Sequence, residues 1–331
     1  FKQKTAYEIR LSLVGSEMCI RDRVNGVVFD ICQGGLAELG ALMHDDGNAA
    51  HRALTLQQLW GDQECLQELA ALARRAYGTH IPGPPAREQM AATIRYLANR
   101  IKSSVHPVER VVLGADLVWQ SAKLCLALAG IGPLRESEWH AALSAAILPF
   151  DAATPFATWY LGTSVAERIT AALALAEYAV GAPIGFQRIN PPRASAPLAP
   201  GKPLSVAVIA HHQRMIQYGL DHLASAGQSG STLRQALELG VITWFAAPAC
   251  LALTGLACSD HQFWWRVLGQ IRLPFDAVNP YHQTLIAPSV AKRIASATTF
   301  GQQTLTALGQ AQAQLERQSG GEYAGLAYFA D

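Results

Sequence analysis

The chain has 331 residues, with 26 Lys and Arg against 25 Asp and Glu, and half of it is apolar. A charge this close to zero excludes the basic field that nucleic-acid binding requires, and the apolar half is enough for one large or two ordinary domains. Six cysteines with no CxxC pair exclude a recognisable zinc motif and point to reduced thiols in a cytoplasmic protein without a cofactor.

The first 23 residues read as translated sequencing adaptor rather than protein. Lys2-Gln-Lys-Thr-Ala-Tyr-Glu8 back-translates to what looks like a flow-cell primer, and Leu13-Val-Gly-Ser-Glu-Met-Cys-Ile-Arg-Asp22 resembles a transposase adaptor. Natural sequence is expected from Val24 onward. Setting aside five basic and three acidic side chains in that segment moves the formal charge from +1 to about −1.

Residues 24–84 form a helical lead-in. Apolar side chains recur at three- and four-residue steps over Leu54–Trp60 and Leu66–Ala73, and Pro82-Gly-Pro-Pro85 breaks the pattern. Over residues 85–186, a helix at Arg87–Ile101 puts Met90, Ile94, Leu97 and Ile101 on one face. A long apolar helix follows at Val108–Ala129 and stops at Gly130. A shorter helix, Glu136–Ile147, surrounds Trp139. Leu148-Pro-Phe-Asp151 then turns the chain, because Pro149 has no N–H to continue a helix. Ser164 and Glu167 have capping-box spacing for a helix that runs to Val180 and stops at Gly181.

Residues 187–203 contain five prolines and no apolar period, the mark of a semi-extended linker. Over residues 204–318, a helix at Ser205–Ala226 ends at Gly227. Thr232 and Gln235 have capping-box spacing for the helix that carries Leu239–Ala257, which Pro248 is expected to kink. Ser259-Asp-His-Gln262 caps a helix around Trp264, and Ser289–Gln318 is the last helix. A flexible tail, 319–331, follows. Leu239–Ala257 is nineteen residues without a charge, close to the minimum for a membrane span. The matching run earlier in the chain carries Asp116 and Lys123. A mid-bilayer charge is costly, so buried core helices without membrane contact are expected.

That match is part of a longer one. Laying Cys125–Ala172 over Cys250–Ala297, at a fixed offset of 125, gives nineteen identities in forty-eight positions. They include Trp139/Trp264, the whole of Leu148-Pro-Phe-Asp151/Leu273-Pro-Phe-Asp276, Ser164/Ser289 and Arg168/Arg293. The expected fold is all-α: an internally duplicated helical repeat, 85–186 and 204–318, packed as a pseudo-twofold dimer. Hiding the most apolar surface calls for the two apolar helices to lie against each other.

Tyr218-Gly-Leu-Asp-His-Leu-Ala-Ser-Ala-Gly227, Thr232–Gly240 and Ala246–Leu253 together resemble the carboxymuconolactone decarboxylase-like superfamily, which includes alkyl hydroperoxidase D-like proteins. Tyr96–Ile101 followed by Glu109–Leu128 is a fainter echo. The likeness covers about a third of the natural sequence. It implies a helix ending in Ala-x-x-Ala-Gly, a capped turn and an interrupted apolar helix. Redox members carry Cys-x-x-Cys with a following His on the first helix. The nearest place here, His212-Gln-Arg-Met215, has no cysteine, so thiol-relay activity is not implied. Some duplicated relatives, among them one group of haloacid dehalogenases, work without cysteines, which leaves a hydrolytic reading by analogy.

Candidate chemistry centres on the Ser205–Ala226 helix. His211, Tyr218 and His222 are spaced seven and four apart and share a face; they can serve acid–base catalysis or be an ordinary polar face. Asp151 and Asp276 can activate water or attack substrate; equally, each can cap the segment that follows. Trp139 and Trp264 are core anchors or an aromatic ligand wall. His282 has Ala157 at its matching place, an asymmetry that hints at function, against an exposed loop histidine. His44-Asp45 resembles the dipeptide of metal phosphohydrolases without the remaining ligands. The combined expectation is a cysteine-independent enzyme for a small apolar or carboxylate substrate bound between the repeats. The alternative is a non-catalytic helical scaffold for protein–protein interaction. Oligomeric state and catalysis itself stay open.

Overall fold

The computed structural model describes residues 20–24, 27–31, 63–77, 81–132, 134–187, 198–201, 204–258 and 260–318. His44-Asp45, Leu54–Trp60, residues 188–197 of the proline-rich stretch and the tail from 319 lie outside them. The fold is all-α. A first strand, β1 (Ile20–Val24), pairs antiparallel with β2 (Val27–Ile31), so the lead-in is not helical throughout. The pairing joins residues on both sides of the expected natural start. The predicted Leu66–Ala73 pattern lies in α1 (Gln63–Ala76), and Tyr77 just after it donates its hydroxyl hydrogen to Glu138.

Each half then contains three long helices packed on one another, plus short ones. The first half is α2 (Pro84–Ser103), α3 (Pro107–Leu128), α4 (Glu136–Ala145), α5 (Ala153–Leu161) and α6 (Val165–Val180). The second is α7 (Val206–Gln228), α8 (Thr232–Leu253), a 3-10 turn at His261–Phe263 running into α9 (Trp264–Val267), α10 (Val278–Ile286) and α11 (Val290–Gln318). Between Leu128 and Glu136, Gly130 adopts a left-handed φ of 75°, and Gly255 after α8 does the same at 70°. A Cβ disfavours that region, so the chain stops both helices with glycine.

The termini follow local chemistry. Ser164 Oγ accepts from the Glu167 N–H at 3.0 Å, while the Glu167 carboxylate reaches the Thr163 N–H at 2.7 Å. Left-handed Gly181 ends α6 as expected. At α8 the cap is Ser231, one residue before the predicted Thr232, and its Oγ accepts from the Arg234 N–H. The linker is not wholly free either. Its Leu198–Pro200 (β3) pairs antiparallel with Leu256–Cys258 (β4).

The repeated Leu-Pro-Phe-Asp has a structural role in both places. Leu148 and Phe150 pack on the first core and Leu273 and Phe275 on the second. Asp151 Oδ1 accepts from the N–H groups of Ala153 and Thr154, and Asp276 Oδ1 from those of Val278 and Asn279. Each carboxylate thereby satisfies two orphan donors at a helix start. The helices they open, α5 and α10, are absent from the sequence reading. Pro155 and Pro280 fall in their first turns, where proline is tolerated.

The two apolar helices are not each other's main partners. α3 packs on α2 and α6, and α8 packs on α7 and α11. Across the seam α3 meets α10, and α8 meets α5. Each apolar helix is thus covered mostly by its own half, and the short capped helices complete the cover. Both α3 and α8 are long and apolar enough to cross a membrane by length and composition.

Candidate functional site

On α7 the structure brings two of the three predicted residues into ring contact. Tyr218 lies over His222, ring centroids 4.1 Å apart, and His222 Nδ1 is 3.7 Å from Glu238 Oε2. His211, two turns before Tyr218, meets the His212 ring at 5.7 Å. His211 and His222 are exposed and Tyr218 is half-buried. Burial, with His211 adding repulsion, pushes the His212 imidazole down to about 4, so it is neutral at physiological pH.

His282 sits within α10 and is half-buried, not on an exposed loop. It belongs to an aromatic cluster at the foot of α3: Trp265 stacks on His106 at 4.1 Å, and His106 meets His282 edge-on at 6.4 Å. Burial pulls the His282 imidazole below its usual range. Asp276 is committed to the α10 cap described above. Trp139 and Trp264 are both core anchors, donating Nε1–H to the carbonyls of Leu134 and Cys258.

A cleft of about 490 Å³ lies on the first half, between α4 and α5. His140 and Ser144 line it from α4, Asp151 stands at one end of α5, Thr158 lies on its wall, and Glu167 closes the other end. None of His211, Tyr218 and His222 lines it. The hydroxyl of Thr154 and the N–H groups of Thr154 and Ala153 hold the Asp151 carboxyl below its ordinary range. The Thr163 N–H and hydroxyl do the same for Glu167. Both are therefore carboxylates at neutral pH. α8 packs behind α4 and α5 from the second half, so the cleft sits beside the seam. At the positions 125 residues on, Trp265 replaces His140, His282 replaces Ala157 and Lys292 replaces Glu167. The aromatic cluster occupies that place.

Sequence reading missed a polar network across the seam. His261 Nε2 lies 3.0 and 3.1 Å from the two carboxylate oxygens of Asp116 in α3. Gln262 Nε2 donates to the same carboxylate at 2.7 Å and accepts from Arg100. Arg100 and Arg266 both approach Glu109, at 3.6 and 3.4 Å. Asp116 within an apolar helix was the available signal: a charge in such a place calls for a partner.

Cys125 and Cys250 offer no nucleophile. Burial pushes Cys125 and Cys250 each up to about 12, so neither supplies thiolate near neutrality. Among the described residues no cluster of three or more His, Cys, Asp or Glu is placed to hold a metal ion.

No protein-family model, curated protein or solved structure matches the chain.

Proposed function

We propose that the chain is an internally duplicated helical protein of the kind the carboxymuconolactone decarboxylase-like resemblance suggests, and that it binds a small polar molecule in the cleft between α4 and α5. The duplication is supported by element bounds that recur at the same offset: Pro107–Leu128 with Thr232–Leu253, and Ala153–Leu161 with Val278–Ile286. The binding reading rests on one observation. A cleft opens beside His140, Ala157 and Glu167, while the matching positions of the other half carry Trp265, His282 and Lys292.

His140 brings an imidazole into the cleft, the side-chain type suited to general acid–base chemistry, and its chemistry needs no thiol. Two ionised carboxylates beside it disfavour a carboxylate substrate, so the expected ligand shifts from apolar or anionic to polar. The test is a thermal-shift screen of small polar metabolites on the wild type and on Thr158→Trp, which fills the cleft. Stabilising compounds should lose their effect in the variant. Hits that survive the substitution, or that are lost instead in a Tyr218→Ala/His222→Ala variant, would contradict the placement.

A further inference from the structure

We propose that the cleft takes an elongated aliphatic cation, a linear polyamine with ammonium groups reaching both ends. This rests on the reading of the cleft as a ligand site and specifies its ligand. The ends are set by Asp151, just before α5, and Glu167, just beyond it. A nine-residue helix places them roughly 12 Å or more apart. Each carboxylate spends part of its acceptor capacity on a helix start: Asp151 on the N–H groups of Ala153 and Thr154, Glu167 on the Thr163 N–H and hydroxyl. An ionised carboxylate offers about four lone-pair sites, so both retain capacity for an ammonium. Between the ends the wall includes Ala153, Ala157 and Thr158, whose short methyl-bearing side chains suit a methylene chain rather than a branched or aromatic body.

The hydrogen bonds at both ends keep these acids charged. A monoamine satisfies one end only, and a dicarboxylate meets repulsion at both. In the other half Lys292 replaces Glu167 and His282 replaces Ala157, so the same ligand finds neither the second carboxylate nor the open wall.

Calorimetric titration of the full chain with spermidine, putrescine, hexylamine and adipate tests this. Spermidine should bind tightest, with hexylamine weaker by about tenfold or more and adipate silent. Asp151→Asn and Glu167→Gln keep an oxygen for their caps, and each should weaken spermidine by about tenfold. Thr158→Trp should abolish binding. Absence of spermidine binding, equal affinity for hexylamine, or unchanged affinity in both carboxamide variants overturns the polyamine assignment. The cleft still stands if another small molecule binds and is lost in Thr158→Trp. Spermidine binding that persists in Thr158→Trp overturns both.

Discussion

Arg293 Nη2 donates to the Tyr160 carbonyl at 2.8 Å across the seam. Arg168, 125 residues before Arg293, donates in return to the carbonyl of Leu285, 125 residues after Tyr160. Such reciprocity is what an isologous two-fold contact produces, and the duplicated pseudo-dimer proposed above accounts for it. Both guanidiniums are buried, and neither is in an ion pair among the described residues. Their charge is met instead by carbonyls at the last turns of α5 and α10, where helix dipoles concentrate negative charge, and by the Trp159 ring 4.7 Å from Arg168. Burial, and then repulsion from Arg293, pulls the Arg168 guanidinium down to about 9.

Removing either arginine strands buried carbonyls, so Arg168→Ala and Arg293→Ala should each cost about 2–4 kcal/mol in urea unfolding. Because the two cations repel, the double variant should cost less than the sum, with a coupling of about 0.5–3 kcal/mol. Additive losses would mean that the pair does not share one environment.

Asp151 and Asp276 are predicted to be equivalent caps. Asp→Ala at either position should lower the denaturation midpoint, and Asp→Asn should keep most of the stability, because asparagine caps as well as aspartate. Chemical denaturation of the four variants checks this. A loss at only one position would break the equivalence.

Gly114 packs against Trp159. A Cβ there would sit 2.5 Å from Trp159 Cη2 and 2.7 Å from Cζ3, and Trp159 is buried. Gly114→Ala should therefore destabilise by about 1–3 kcal/mol through overpacking, with partial rescue by Trp159→Phe. The matching positions hold Leu239 and Thr284, both buried, an exchange of bulk that keeps the volume. Thermal unfolding of the single and double variants provides the measurement.

Stability should be highest near neutrality. The hydrogen bond to Asp116 raises the His261 imidazole against the effect of burial, and Asp116 and Asp260 add attraction. The rings of Trp244 and Trp264 and the amide of Gln262 complete its surroundings. A raised folded value gives stability that is complete below the unfolded value of about 6.5 and is lost as pH climbs through the folded one. His212 and His282 are lowered by burial, so acid destabilises through them as pH falls below about 6.5. Urea unfolding from acid to alkaline pH should show both limbs. His261→Gln or Asp116→Asn should reduce the loss just above neutrality and leave the acid limb, while the loss at higher pH from the buried thiols Cys125 and Cys250 remains.

Helix ends were the most legible part of the sequence, because capping is local: Ser164, Gly181 and Gly130 act within a few residues of themselves. The dual role of Asp151 and Asp276 was open, and their local hydrogen bonds favour the cap. Asp116 and His261 are 145 positions apart, and no local pattern joins them. Apolar periodicity told which helices are buried and not what covers them, so the expected contact between α3 and α8 gave way to contacts with their own halves. The cleft was invisible for the same reason: His140 reads as the residue after a core tryptophan, and only the fold brings it to the side of Asp151 and Glu167.

The most direct test of the duplicated architecture superposes Pro107–Val180 on Thr232–Leu305 in crystals of the protein. The account predicts a rotation close to a half-turn, with Arg168 and Arg293 exchanging places and their carbonyl partners exchanging with them. A superposition that fails, or one that requires a translation along the chain with the arginines in unrelated surroundings, would contradict it.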